Sequence, residues 1–163
     1  MTYPILVLTT GGTFDKQYFD ALSEYQIAES MVPKLLQVAR VTHPFRTAEL
    51  MRKDSLELTD ADRTAIRTAI EGAPETAIVV IHGTDTMVQT AAELEGLAGR
   101  TIVLVGALAP ARFAESDAAF NLGMAFAGAQ ALTPGVYITM NGTVFPAKQV
   151  VKDRAQNAFV PKT

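Results

Sequence analysis

Ile5-Leu6-Val7-Leu8-Thr9-Thr10-Gly11-Gly12 is an unbroken aliphatic run that stops at two threonines and two glycines. Three later stretches follow the same pattern. Ala77-Ile78-Val79-Val80-Ile81 stops at His82-Gly83, Thr101-Ile102-Val103-Leu104-Val105 stops at Gly106, and Gly135-Val136-Tyr137-Ile138-Thr139-Met140 stops at Asn141-Gly142. A strand with water on one face alternates apolar and polar residues. A run without alternation reads as a strand covered on both faces, as in a parallel sheet flanked by helices. A weaker strand is expected near Val41–Thr47, where Pro44 marks an edge or an early end.

The segments between these runs have helical spacing. Val32, Leu35, Leu36 and Ala39 form one apolar face behind Ser30, a candidate cap, with Pro33 in the first turn. Thr59-Asp60-Ala61-Asp62 has the form of a capping box ahead of Ala65, Ile66, Ala69 and Ile70. Thr86-Met87-Val88-Gln89 is read the same way ahead of Ala91 and Leu94. Ala118–Ala131 is apolar nearly all round, so that helix is expected to be buried or to lie at an interface. The tail Lys152–Thr163 shows little periodicity. Strand and helix therefore alternate. The expectation is an α/β fold: an open, mostly parallel sheet with helices on both faces in Rossmann-like layering. A single domain over residues 1–163, with no second domain, is expected.

Composition bounds the function. Of 163 residues, 48% are apolar and only 19% charged, which favours a compact fold that hides surface in a homo-oligomer, a dimer or tetramer. Lys and Arg number 14 against 17 Asp and Glu, a net charge of −3, so the footprint of nucleic-acid binding is missing. There is no cysteine, which excludes disulfides and thiolate nucleophiles, and two histidines argue against a metal centre. No basic segment precedes Ile5–Leu8, and that run falls far short of the roughly 20 residues of a membrane span. No leader and no membrane partner are expected, and the reading places the protein in the cytoplasm.

In open parallel sheets ligands bind at the carboxyl ends of the strands. Three segments fall there: Thr9–Asp15, His82–Met87 and Gly106–Pro110. Paired glycines at Gly11-Gly12 let backbone N–H groups approach an anion or oxyanion, and Thr13 adds a hydroxyl. Thr84-Asp85 sets a hydroxyl beside a carboxylate at a helix start. A threonine hydroxyl needs a base or a cation to become a nucleophile. Lys152, after Gln149-Val150-Val151, is the lysine best placed in a strand context. Taken singly, each feature has an ordinary structural explanation. Gly-Gly-Thr makes a turn, Thr84-Asp85 caps a helix, His82 packs at a strand end, Lys152 is solvated, and Tyr25 is a loop aromatic.

Taken together and in order, Thr10-Gly11-Gly12-Thr13 and His82-Gly83-Thr84-Asp85-Thr86-Met87 resemble the L-asparaginases of the bacterial type I/II family. The likeness continues at Val105-Gly106-Ala107, at Asp117 with Phe120-Asn121-Leu122, at Gly135-Val136 through Met140-Asn141, and at Lys152. It spans the chain but only the amino-terminal domain of the usual two-domain enzyme. Short single-domain members exist, so the chain is expected to be complete. The resemblance implies conversion of L-asparagine to L-aspartate and ammonia through an acyl-enzyme, without metal or cofactor. Thr13 corresponds to the attacking threonine and Tyr25 to the lid tyrosine that activates it. Thr84, Asp85 and Lys152 correspond to a second catalytic set. Ser55 and Asp85 correspond to substrate-binding side chains, and Gly12, Gly83 and Ala107 to backbone contacts.

Three departures accompany the likeness. Leu56 follows Ser55 where members often carry a polar residue, Ala109 replaces a basic or polar one, and Tyr18 competes with Tyr25 for the lid position. The resemblance leaves both Thr13 and Thr84 open as first nucleophile. A non-catalytic amino-acid-binding domain is the rival reading. A nucleotide-binding domain is disfavoured, because Gly11-Gly12 lacks both the longer glycine fingerprint and a Gly-Lys-Ser/Thr ending.

Overall fold

Side chains leave each central strand in two directions, and both sets are buried. Leu6, Leu8, Ile78, Val80, Ile102 and Leu104 enter one apolar layer. Ile5, Val7, Val79, Ile81, Val103 and Val105 enter the other. The computed structural model describes residues 3–163; Met1 and Thr2, the start of the segment read for a leader, lie outside the described residues. Each fully buried aliphatic side chain contributes roughly 1.5–3 kcal/mol before the entropy of ordering is counted.

The strands are β1 (Ile5–Gly11), β2 (Lys16–Phe19), β3 (Glu24–Ile27), β4 (Phe45–Lys53), β5 (Ala77–Ile81), β6 (Thr101–Val105), β7 (Gly135–Met140), β8 (Thr143–Pro146), β9 (Val150–Asp153) and β10 (Ala158–Pro161). The helices are α1 (Val32–Val38), α2 (Asp60–Gly72), α3 (Met87–Glu93) and α4 (Ala118–Ala131). One six-stranded sheet runs β4-β1-β5-β6-β7-β8. All its pairings are parallel except β7 with β8. Ile66 and Ile70 of α2 and Met87 and Ala91 of α3 cover one face. Val32 and Leu36 of α1 and Leu122, Ala125 and Ala129 of α4 cover the other. The expected open, mostly parallel sheet with helices on both faces is what the chain forms.

Strand order positions the site. From β1 the chain crosses to β4 on one side, then returns past β1 to β5 on the other. The connections diverge between β1 and β5, and at such a switch point the carboxyl ends of two neighbouring strands frame a crevice.

Several local expectations need correction. The weak strand does not end at Pro44. It starts just after it, runs as β4 to Lys53, and occupies the sheet edge. Proline there costs no central ladder bond. The aperiodic tail is an antiparallel hairpin, β9 with β10. Tyr25 is not in a loop but on β3, paired with β2. Thr59 and Asp62 do close a reciprocal capping box on α2. Thr86 makes no side-chain cap on α3, because its hydroxyl donates instead to the Ser55 carbonyl at 2.7 Å. The nearly uniform α4 buries Ala118, Leu122, Ala125, Phe126 and Ala129 and leaves Phe120 exposed.

Candidate active site

At the β1–β5 crevice the two strand-end loops touch through glycine backbones. Gly11 and Gly12 hold φ of 108° and 86°, a region that suits glycine alone. A Cβ on Gly12 would sit 2.5 Å from both N and Cα of Gly83. A Cβ on Gly83 would in turn meet Ser55 Oγ at 2.8 Å. Three segments far apart in sequence thus converge with nothing larger than a hydrogen between two of them. The Gly12 N–H donates to the Lys53 carbonyl at 3.0 Å, which anchors the first loop to β4. Ser55 is buried, and its Oγ accepts the Thr86 N–H at 3.2 Å.

Thr84, Asp85 and Lys152 form one cluster. Lys152 Nζ on β9 donates to Thr84 Oγ1 at 2.8 Å and to Asp85 Oδ1 at 2.9 Å. The lysine side chain is 13% exposed, so the contact is shielded from water. Arg154 brings a second cation to 3.7 Å from Asp85, a contact that sequence reading missed. The β9–β10 pairing makes this reach possible, since it fixes Lys152 opposite Phe159.

Thr13 begins a single 3₁₀ turn, Thr13–Asp15, directly after Gly12, and is half-buried. The hairpin β2–β3 follows it and is pinned at its base. The Ala28 N–H donates to the Asp15 carbonyl at 3.0 Å, and the Asp15 carboxylate accepts the Met31 N–H at 2.8 Å. Burial pushes the Asp15 carboxyl above its ordinary pKa. Further along the hairpin, Tyr25 is half exposed, its ring 5.1 Å from Tyr18 and 5.9 Å from Phe113. The register pairs Tyr18 with Tyr25, so both tyrosines named from sequence share one face of the hairpin. The ring contacts tie Tyr25 to Tyr18 and Phe113.

Ala107 is buried just beyond β6. Asp117 holds that loop: its carboxylate accepts the N–H groups of Leu108 and Ala109 at 2.9–3.0 Å and the Asn121 side chain at 2.8 Å. The spacing Asp117–Asn121, one helical turn, is the sequence signal for this clamp. His82 is fully buried at the end of β5, as its strand-end position implied. A cleft of about 500 Å³ opens at the opposite edge of the sheet, near Tyr3, His43, Thr76 and Gln130. The hydroxyl, carboxylate and ammonium cluster lies away from it, at the carboxyl edge. Among the described residues no group of three His, Asp or Glu side chains is arranged to hold a metal, and no helix is long and apolar enough to cross a membrane.

Fold and site define an α/β domain that presents threonine hydroxyls, a carboxylate and an ammonium at the switch point of its sheet. Residues 4–160 match the family described as Asparaginase, N-terminal, and the chain belongs to the asparaginase family. It is 26% identical to a glutaminase-asparaginase of Acinetobacter glutaminasificans, over 91% of this chain and 49% of that protein. It is 32% identical to a subunit of the glutamyl-tRNA(Gln) amidotransferase of Methanococcus maripaludis, over 85% of this chain and 35% of that one. The thermostable L-asparaginase from Thermococcus kodakarensis superposes with a TM-score of 0.83 at 28% identity, covering 97% of this chain and 51% of the other. The chain spans about a third to a half of the length of these relatives.

Proposed function

We propose that this chain is an amidohydrolase that converts L-asparagine to L-aspartate and ammonia through a threonine acyl-enzyme. The observation that carries the reading is the reach of Lys152 to both Thr84 Oγ1 and Asp85 Oδ1, beside the Gly12–Gly83 contact. Family membership and the named asparaginase relatives support it.

In this reading Thr13 Oγ attacks the side-chain amide carbon, and its proton passes by way of Tyr25 or a water to the amide nitrogen. Backbone N–H groups at the Gly12 and Thr84 loops receive the oxyanion. The carbon–nitrogen bond breaks, ammonia leaves, and an ester to Thr13 remains. Water opens that ester and a proton returns to Thr13. The Lys152 ammonium stabilises negative charge on Thr84 Oγ1 as that oxygen handles protons in either half. Asp85 and Ser55 hold the amino-acid end of the substrate, Asp85 through a charge-assisted bond to its ammonium. Gly12, Gly83 and Ala107 give it a close backbone wall. All the residues of this scheme lie in one α/β domain, and the protein works in the cytoplasm as a homo-oligomer without metal or cofactor.

A second reading, a domain that binds the amino acid without turnover, draws on the chain's match to only part of each relative. One experiment separates the two. Purified protein is assayed for ammonia from asparagine and from glutamine, with aspartate-induced thermal shift measured in parallel. Ammonia release that disappears in both Thr13→Ala and Thr84→Ala supports the hydrolase. A thermal shift without ammonia supports the binding domain.

A further inference from the structure

His82 is a buried titratable group that the proposed chemistry leaves unused. Its ring joins two elements: Nδ1 lies 2.6 Å from the Gly83 carbonyl oxygen, and Nε2 lies 2.7 Å from Thr90 Oγ1 on α3. Thr90 Oγ1 also accepts a hydrogen bond from Arg63 Nε, on α2, at 3.1 Å. These partners fix the proton positions. A carbonyl oxygen can only accept, so Nδ1 carries the hydrogen. Thr90 receives from Arg63 and has one proton of its own, which it gives to Nε2. The run Arg63 to Thr90 to His82 to Gly83 is donated in one direction, and each link polarises the next.

A second proton on the ring would create a buried charge near Arg63. Burial, with Arg63 adding to it, lowers the His82 pKa to about 4. The ring is neutral at neutral pH.

The consequence falls on the next peptide unit. No peptide bond among the described residues is cis, so a Gly83 carbonyl aimed at the ring points the Thr84 N–H the opposite way. That N–H meets no acceptor among the described residues, and the same residue carries the hydroxyl that Lys152 engages.

We propose that His82 is a positioning residue, whose Nδ1–H tautomer anchors the Gly83 carbonyl and so presents the Thr84 N–H and hydroxyl in one fixed orientation at the site. Its kinetic consequence rests on the amidohydrolase reading; its structural consequence does not.

Nitrogen-15 NMR of the imidazoles tests the tautomer. The chain has two histidines, His43 and His82, so a His82→Asn variant assigns the signals. The expected result is an Nδ1–H ring that does not titrate between about pH 8 and 5.5. An Nε2–H ring, or one that titrates in that range, overturns the proposal. The Thr84 amide resonance is the second readout. It is expected to hold its position in His82→Asn, whose side-chain amide can still donate to Gly83, and to move in His82→Leu. No movement in either variant overturns the proposal.

In the ammonia assay His82→Leu is expected to lose on the order of 10²-fold in kcat with KM nearly unchanged, and His82→Asn to recover most of it. Equal kcat in both variants counts against positioning. Should His82→Leu fail to fold, Thr90→Val against Thr90→Ser makes the same comparison, with kcat lost in the first and kept in the second. If the wild type shows the Nδ1–H tautomer but releases no ammonia, the hydrolase reading falls and the anchoring stands. An active wild type with an Nε2–H ring removes the anchoring alone.

Discussion

Gly12 and Gly83 meet backbone to backbone, so close that a Cβ on the first would lie 2.5 Å from the Cα of the second. The contact joins the ends of β1 and β5 and leaves room for nothing but hydrogen. Gly12 also sits at φ 86° and ψ −177°, which only glycine adopts without strain. Gly12→Ala is therefore expected to destabilise the fold by roughly 1–3 kcal/mol from backbone strain, with the clash added to it. Urea unfolding measures this, and a variant as stable as the wild type would show that the two loops are not packed as described.

Lys152→Met keeps the stem and removes the ammonium. Thr84 loses the donor at 2.8 Å, and Asp85 is left with Arg154 alone. The expected loss in kcat for ammonia release is on the order of 10²-fold, with cooperative unfolding retained. Unchanged turnover would remove Lys152 from the reaction.

If Asp85 holds the substrate ammonium as proposed, Arg154 is its competitor for that carboxylate. Its side chain is 68% exposed and 3.7 Å from the carboxylate, so it is held weakly. Arg154→Ala is expected to lower KM for asparagine by up to about fivefold, the equivalent of a surface ion pair, and to leave kcat nearly unchanged. Steady-state kinetics at low and high salt read the effect, which should shrink as salt rises.

Phe113 secures the β2–β3 hairpin through Tyr25. Phe113→Ala removes an aromatic pair of about 0.5–1.5 kcal/mol. Faster hydrogen exchange is expected at Lys16–Ile27 and not at β5 or β6. Tyr25→Phe keeps the ring contact and removes the hydroxyl, so its effect should appear in kcat while exchange stays slow. Exchange that stays slow in Phe113→Ala would show that the ring pair does not secure the hairpin.

His82 makes stability fall in acid. Burial depresses its folded-state pKa from 6.5 to about 4, so between those values the unfolded chain takes up a proton that the folded chain refuses. This contribution is fully present above pH 6.5 and is lost as the pH falls toward 4, by roughly 3 kcal/mol in all. Unfolding free energies measured across that window for the wild type and His82→Asn should converge toward acid. Parallel curves would show that His82 does not carry the uptake.

The central strands were legible because each is buried on both faces, so periodicity vanished and aliphatic runs remained. The glycines that end β1 and β5 also stood out, because close approach and positive φ restrict the residue type. The hairpins β2–β3 and β9–β10 were not legible. Their residues are mostly half-buried or exposed, and such strands carry no apolar run to read. Arg63 and Thr90 were hidden for a different reason: each lies on a helix face that looks ordinary until α2 and α3 pack beneath His82.

Residue order alone carries the layered α/β class, the strand ends where a ligand would lie, and the residue types gathered there. Burial and backbone sterics act locally, so they leave their mark in neighbouring residues. Packing of the whole fold decided that Lys152 meets Thr84 and Asp85 across nearly 70 residues of chain. It also decided that Ser55 closes on Gly83, and that the ring of His82 faces a carbonyl on one side and a hydroxyl on the other. Those pairings depend on strand order and on which helix covers which face, and no short stretch of sequence carries that information.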